Sequence, residues 1–122
     1  MEGIRAFRNL DRLGQQRAPE VIEEEVRQLE PHLVSFREDL VRLEVVASQT
    51  SGKTRIQVSL RLQLPSGVIA AQEEGFEIEP VLRKAFADLR QRVDRYVARL
   101  KHEPDWTRPA RRRRIGALLP PA

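Results

Sequence analysis

Residues 55–64 read RIQVSLRLQL, ten positions in which polar and apolar side chains alternate without a break. Side chains of an extended chain point alternately to two faces, so Ile56, Val58, Leu60, Leu62 and Leu64 can be hidden together only if this stretch is a strand with one face on a core and one in water. Pro65-Ser66-Gly67 then turns the chain into a second strand over 68–72, because proline presets a turn dihedral and glycine accepts conformations that other residues resist. Upstream, Val41, Leu43, Val45 and Ala47 alternate in the same manner and define a third strand over 40–48. Three consecutive half-buried strands need a second layer that covers one side of the sheet and leaves the other open.

Helices supply that layer. From 80 to 102, Leu82, Phe86, Leu89, Val93, Val97 and Leu100 recur at helical spacing, and Pro104 ends the run. Earlier in the chain, Pro19 suits a first helical position, Glu20, Glu23 and Glu24 favour the positive end of a helix, and Ile22, Val26, Leu29 and Leu33 form a stripe. Pro31 should kink or end that helix near Glu30. Residues 3–10 read two ways: Ile4 and Ala6 alternate with Arg5 and Phe7 as in a short strand, whereas Asn9 onward reads as loop. The expected order is β-α-β-β-β-α, an α+β fold with a four-stranded sheet and two helices packed on one face. It would occupy residues 1–104, with Glu73-Glu74-Gly75 as an acidic loop and 105–122 as a basic tail or linker. The open face would carry Arg42, Glu44, Arg55, Gln57, Ser59, Arg61 and Gln63.

Ser51-Gly52-Lys53-Thr54 looks like the end of a phosphate-gripping loop, but the pattern fails on both sides. Ala47 stands where the motif needs its first glycine, and a strand follows where it needs a helix. Residues 49–53 are read instead as a hairpin turn. With no cysteine, disulfides, thiolate zinc sites and cysteine nucleophiles are excluded. His32 and His102 lack metal-ligand spacing, and Glu73, Glu74 and Glu77 cluster without a nucleophile or cofactor motif beside them. Apolar runs reach about four residues, far short of the ~20 of a membrane span. A soluble, cytoplasmic protein without cofactor or small-molecule substrate is expected.

The net charge of +4 is unevenly placed. Arg108, Arg111, Arg112, Arg113 and Arg114 all follow the last acidic residue, so residues 1–107 hold 17 basic against 18 acidic groups. Residues 18–39 carry seven acids and two arginines, and residues 81–102 carry seven bases and two aspartates. Such segregation marks two faces with different neighbours.

The segments PEVIEEEVRQLEPHL, LVRLEVVAS and TRIQVSLRLQLPSGVIAAQEEGFEIEPVLRKAFADLRQRVDRYVARLKHE, together about residues 19–103, resemble the ribosome hibernation promoting factor family. Its members are also described as ribosome-associated inhibitors or sigma-factor modulation proteins. The telling pieces are the R-x-x-V-x-L-x-L strand with its Pro-Ser-Gly turn, Ala70-Ala71 before acidic residues, and Ala85, Phe86, Leu89 and Val93 on the last helix.

The resemblance implies a non-enzymatic RNA-binding domain. Its partner would be the small ribosomal subunit and its rRNA, in the channel of messenger and transfer RNA, and its effect would be to silence translation in starved or stationary cells. Such a domain needs cations placed to meet phosphates. Lys84, Arg92, Arg95, Arg99 and His102 fall within roughly 80° of the last helix at ~100° per residue, and Arg83, Arg90 and Lys101 flank the other side. The resemblance makes Lys84, Arg92, Arg95 and Arg99 of the first group RNA-binding candidates. Arg42, Arg55 and Arg61 on the sheet and Arg111, Arg112, Arg113 and Arg114 in the tail join them. The family's denser basic cluster at the positions of Asp94, Arg95, Tyr96 and Val97 is represented here by Arg95 alone. Trp106 is read as packing against the end of the last helix. The competing readings are a solvated helix face, a protein-interaction module, and a generic double-stranded RNA-binding domain; the last wants a basic opening to its final helix, where Glu77-Ile78-Glu79-Pro80 stands.

Overall fold

The computed structural model describes residues 2–50 and 55–102. Most of the expected turn at 49–53 falls outside these residues, as do Trp106, the four consecutive arginines and the expected domain boundary; the side chain of His102 is likewise not described. The elements in order are β1 (Glu2–Arg8), α1 (Arg12–Leu29), two short 3-10 turns (Glu30–Leu33 and Glu38–Leu40), β2 (Arg42–Gln49), β3 (Ile56–Leu64), β4 (Gly67–Gly75) and α2 (Ile78–His102). They form the α+β arrangement that the periodicities require, including the short N-terminal strand.

The sheet order follows the chain, β1-β2-β3-β4. β1 runs parallel to β2, pairing Glu2 with Arg42 through Arg8 with Ser48. The other two pairs are antiparallel, Arg42 with Gln63 through Gln49 with Ile56, and Ile56 with Gly75 through Leu64 with Gly67. This register aligns Leu43, Leu62 and Ile69 in one row and Val45, Leu60 and Ala71 in the next, all buried. On the opposite face it aligns Glu44, Arg61 and Ala70, and Ser48, Gln57 and Glu74. Both helices lie over the apolar side. Val21, Ile22 and Leu29 of α1 and Leu82, Phe86, Leu89 and Val93 of α2 are fully buried.

Three expectations need correction. α1 begins at Arg12, two turns before the proline at which a start was expected. Asn9 takes a left-handed backbone (φ 59°) that ends β1, a conformation asparagine tolerates better than most residues. Asp11 then caps the helix, its side chain accepting from the Gly14 N–H at 2.7 Å. Pro19 is therefore interior and costs α1 a backbone bond, offset by burial of Ala18, Val21 and Ile22 immediately around it. The second correction concerns Glu73, Glu74 and Gly75, which are not a loop but the end of β4. β3 offers pairing partners as far as Ile56, and Glu74 is held by Arg55 at 2.8 Å and Gln57 at 3.0 Å. Finally, Leu100 is exposed, the apolar stripe of α2 ending with Val93 buried and Tyr96 and Val97 packed partly against the core.

Candidate nucleic-acid interface

Spacing along α2 divides its cations into two flanks, and the fold gives each a different environment. Arg83 and Arg90 face α1. Arg83 donates to Glu25 at 2.9 Å and to Glu24 at 2.8 Å, both on α1, and to Glu79 one turn back at 3.1 Å. Arg90 donates to the other oxygen of Glu25 at 2.8 Å. Glu25 is the one charged side chain among the buried described residues, its side chain 4% exposed. Arg17 extends the cluster to Glu79 and Glu20. The oppositely charged segments of the sequence, read as two faces with different neighbours, thus meet each other at Glu24, Glu25, Arg83 and Arg90.

These contacts shift the groups involved. The Arg83 guanidinium holds the Glu24 carboxyl below its ordinary value of 4.5. Glu79 is lowered from the same value by hydrogen bonds from Arg17 first and Arg83 second. Reciprocally, Glu24 and Glu79 raise Arg83, and Glu79 and Glu20 raise Arg17. Cations engaged in this way are poor phosphate ligands, because an incoming phosphate has to displace a carboxylate already bound to them.

The other flank lies away from α1, on the β4 side, and carries Lys84, Arg92, Arg95 and Arg99, all exposed. Lys84 reaches Glu73 of β4 only at 3.8 Å, with 75% of its side chain in solvent. Arg92 pairs with Asp88 on its own helix at 3.0 Å. Neither Arg95 nor Arg99 forms an ion pair within the described residues. The positions at which the family resemblance leads one to look for more basic residues make contacts within the domain instead. Asp94 bonds to His32 at 2.6 Å, Tyr96 meets the Ser66 hydroxyl and lies 6.4 Å from the Phe36 ring, and Val97 is half-buried.

The sheet-borne candidates are on the opposite side of the molecule. Arg42 and Arg61 project from the open face beside Glu44 and Gln63, joined by Arg8, which the sequence reading did not single out although it follows the alternation of β1. Arg55 is committed to Glu74 and lies 5.7 Å from the centre of the Phe76 ring. A shallow depression of about 460 Å³ on this face is lined by Val46, Ser48, Gln57, Ser59, Gln72 and Glu74, with Val58 and Glu73 behind them. The eleven RNA-binding candidates therefore do not form one surface. The structure groups four on the outer flank of α2, separates three onto the sheet, and does not describe the remaining four. Among the described residues no three metal-ligating side chains converge, and no helix is long and apolar enough to cross a membrane. Glu25, the one buried acid, was missed by sequence reasoning; its signal was its place on the stripe Gly14, Ala18, Val21, Glu25, Leu29, all buried.

Comparison with known proteins bears on this arrangement. The family described as sigma 54 modulation protein / S30EA ribosomal protein matches residues 15–101, which overlaps nearly all of the stretch that carries the resemblance. No individual curated sequence matches. Among solved structures, the N-terminal domain of Protein Y from Thermus thermophilus superposes with a TM-score of 0.59 at 18% identity, covering 79% of this chain and 99% of that one. A ribosomal subunit interface protein from Coxiella burnetii gives 0.55 at 17% identity, covering 80% and 99%.

Proposed function

The chain belongs to the sigma 54 modulation protein / S30EA ribosomal protein family, and from this premise we propose that it is a ribosome-binding domain of the cytoplasm that docks on rRNA of the small subunit and holds translation off under stress or starvation. It acts by occupancy and not by catalysis. The observation that carries the reading is the division of cations on α2. Arg83 and Arg90 are spent on Glu24 and Glu25, whereas Arg95 and Arg99 stand in solvent without an ion pair within the described residues, flanked by Arg92 and Lys84. One helix flank thus offers guanidinium groups to phosphates on a rigid support, which fixes their spacing before binding.

The test is cosedimentation of the purified protein with ribosomes over a range of salt, comparing the wild type with Arg92→Glu/Arg95→Glu/Arg99→Glu. All three residues are exposed and clear of the core, so the fold should survive; at position 92 the Asp88 pair is lost and a like-charge pair replaces it, together about 0.4–1 kcal/mol. Binding should drop steeply. The slope of log K against log salt should flatten by roughly 0.7–0.9 for each phosphate that is no longer neutralised. Unchanged affinity in a folded triple variant would move the RNA site to Arg8, Arg42 and Arg61 on the open sheet. A wild-type protein that stays at the top of the gradient at every salt concentration would make a protein partner the better reading.

A further inference from the structure

β4 is an edge strand. The sheet order ends with it, and among the described residues no strand pairs with it on the side away from β3. Which of its backbone groups are left over follows from the hairpin. Pro65-Ser66 is a two-residue turn between the paired residues Leu64 and Gly67, and the Leu64 C=O to Gly67 N–H bond of such a turn makes this the first hydrogen-bonded pair. The register runs without a bulge to Ile56 opposite Gly75, so hydrogen-bonded pairs alternate along it. Ile69, Ala71 and Glu73 give their N–H and C=O groups to β3, and Val68, Ala70 and Gln72 turn theirs outward. Natural edges are commonly blunted by charge, proline, a bulge or a covering element. β1, at the opposite edge, carries Arg5 and Arg8, whereas residues 67–72 of β4 read GVIAAQ, with no charge and no proline.

The outer flank of α2 runs along this edge. Val81 stands beside Gly75, Lys84 reaches Glu73, and the Tyr96 hydroxyl lies over Gly67, so the helix is antiparallel to β4 and Arg92 and Arg95 accompany its uncharged half. The acids of the neighbourhood are matched one by one, Glu73 by Lys84, Glu74 by Arg55 and Asp88 by Arg92. Arg95 and Arg99 are the surplus, exposed and without an ion pair within the described residues. A segment that fits here therefore needs an extended backbone for Val68, Ala70 and Gln72 and negative side chains on the side of α2. A second copy of this chain meets only the first requirement. Antiparallel pairing of β4 with β4 puts both copies of α2 on the same side of the joined sheet, with their arginine rows facing each other.

We propose that the free edge of β4 takes an acidic polypeptide segment in extended conformation, which extends the sheet by one strand and sets its carboxylates beside Arg95 and Arg99. Main-chain bonds to the edge supply affinity whatever the sequence, and the arginines select for acidic residues on one face of the added strand. The docking itself does not rest on the ribosomal reading. Where that reading holds, the segment occupies the arginines that rRNA needs and so acts as a competitive antagonist of ribosome binding.

The probe is a fluorescein-labelled peptide, Glu-Thr-Glu-Thr-Glu-Thr-Glu, titrated with the full chain and followed by anisotropy. Binding should saturate and should weaken as salt is raised. Two further peptides carry N-methyl groups on all the threonines or on all the glutamates. Only every second N–H of an added strand points at the edge, so one of the two should bind about tenfold or more weaker than the other. Arg95→Glu/Arg99→Glu should lower affinity for the parent peptide by about tenfold or more. Arg12→Glu/Arg27→Glu makes the same change in net charge at exposed positions of α1 and should stay within about twofold. Ala70→Pro removes an outward N–H while leaving the bonds to β3, so it should weaken binding with circular dichroism unchanged. The proposal is overturned if the wild type does not bind at low salt, or if the α1 double variant loses as much as the α2 one. Equal affinity for the two N-methylated peptides also overturns it, since the flank then captures polyanions by charge alone.

Discussion

Replacing Glu25 by alanine tests whether the charge segregation of this sequence is structural. Glu25 is almost fully covered, and its two oxygens accept from Arg83 at 2.9 Å and Arg90 at 2.8 Å across the helix pair. Removing one partner of a buried ion pair costs roughly 3–5 kcal/mol, because the remaining charge is left desolvated. Here the arginines keep some solvent, with side-chain exposures of 35% and 22%, and Arg83 retains Glu24 and Glu79. The loss should therefore lie below that range, at about 2–3 kcal/mol. For a domain of about a hundred residues this lowers the melting temperature by roughly 8–20 °C, measurable by thermal or urea unfolding followed by circular dichroism. Glu24→Ala removes a half-exposed partner of the same arginine and should cost only a small fraction of this. Combining Glu25→Ala with Arg90→Ala should be less than additive by about 0.5–3 kcal/mol, since the second change removes the charge stranded by the first. A Glu25→Ala loss of under about 1 kcal/mol, or strict additivity with Arg90→Ala, would refute the reasoning and leave the helix pair held by apolar contact alone.

Other regions of the molecule supply further tests. A Cβ built on Gly75 would stand 2.7 Å from the Val81 side chain, where β4 leads into α2, so Gly75→Ala should destabilise by about 1–3 kcal/mol in urea unfolding; Gly3→Ala, whose nearest neighbour is a carbonyl oxygen 4.0 Å away, should be close to neutral. Glu24 and Glu79 titrate below their ordinary value of 4.5 in the folded protein. Their contribution is complete above the unfolded value and disappears as pH falls through the lower folded values. Melting temperature should accordingly begin to drop below about pH 4.5, less steeply in Arg83→Gln and at high salt, because these groups are half-exposed and so screened by solvent.

Much of the sheet was legible because its signals are local. An alternation of period two in residues 55–64 fixes which side chains share a face, whatever the rest of the chain does, and Ile56, Val58, Leu60, Leu62 and Leu64 are indeed all buried. The apolar spacing of α2 predicts burial correctly from Leu82 to Val93 for the same reason. The first turns of α1 were hidden because their buried positions are Gly14 and Ala18, which an apolar count overlooks, and because an interior proline imitates a helix start. β4 was read short because its last residues are polar or glycine, and it is the pairing with β3 that keeps them extended.

The sequence by itself determined the order of strands and helices, the side of each that must be covered, and the presence of two oppositely charged segments. It could not determine how those charges are used. Arg83 and Arg95 look alike in a linear count, each an arginine beside the apolar stripe of one helix. Only the packing of α1 against α2 brings Glu24 and Glu25 to Arg83 across 59 and 58 residues of chain and leaves Arg95 in water. The physical reason is range. Burial periodicity is written within a few residues, whereas the electrostatic environment of a cation depends on neighbours that come close only when the chain has closed on itself.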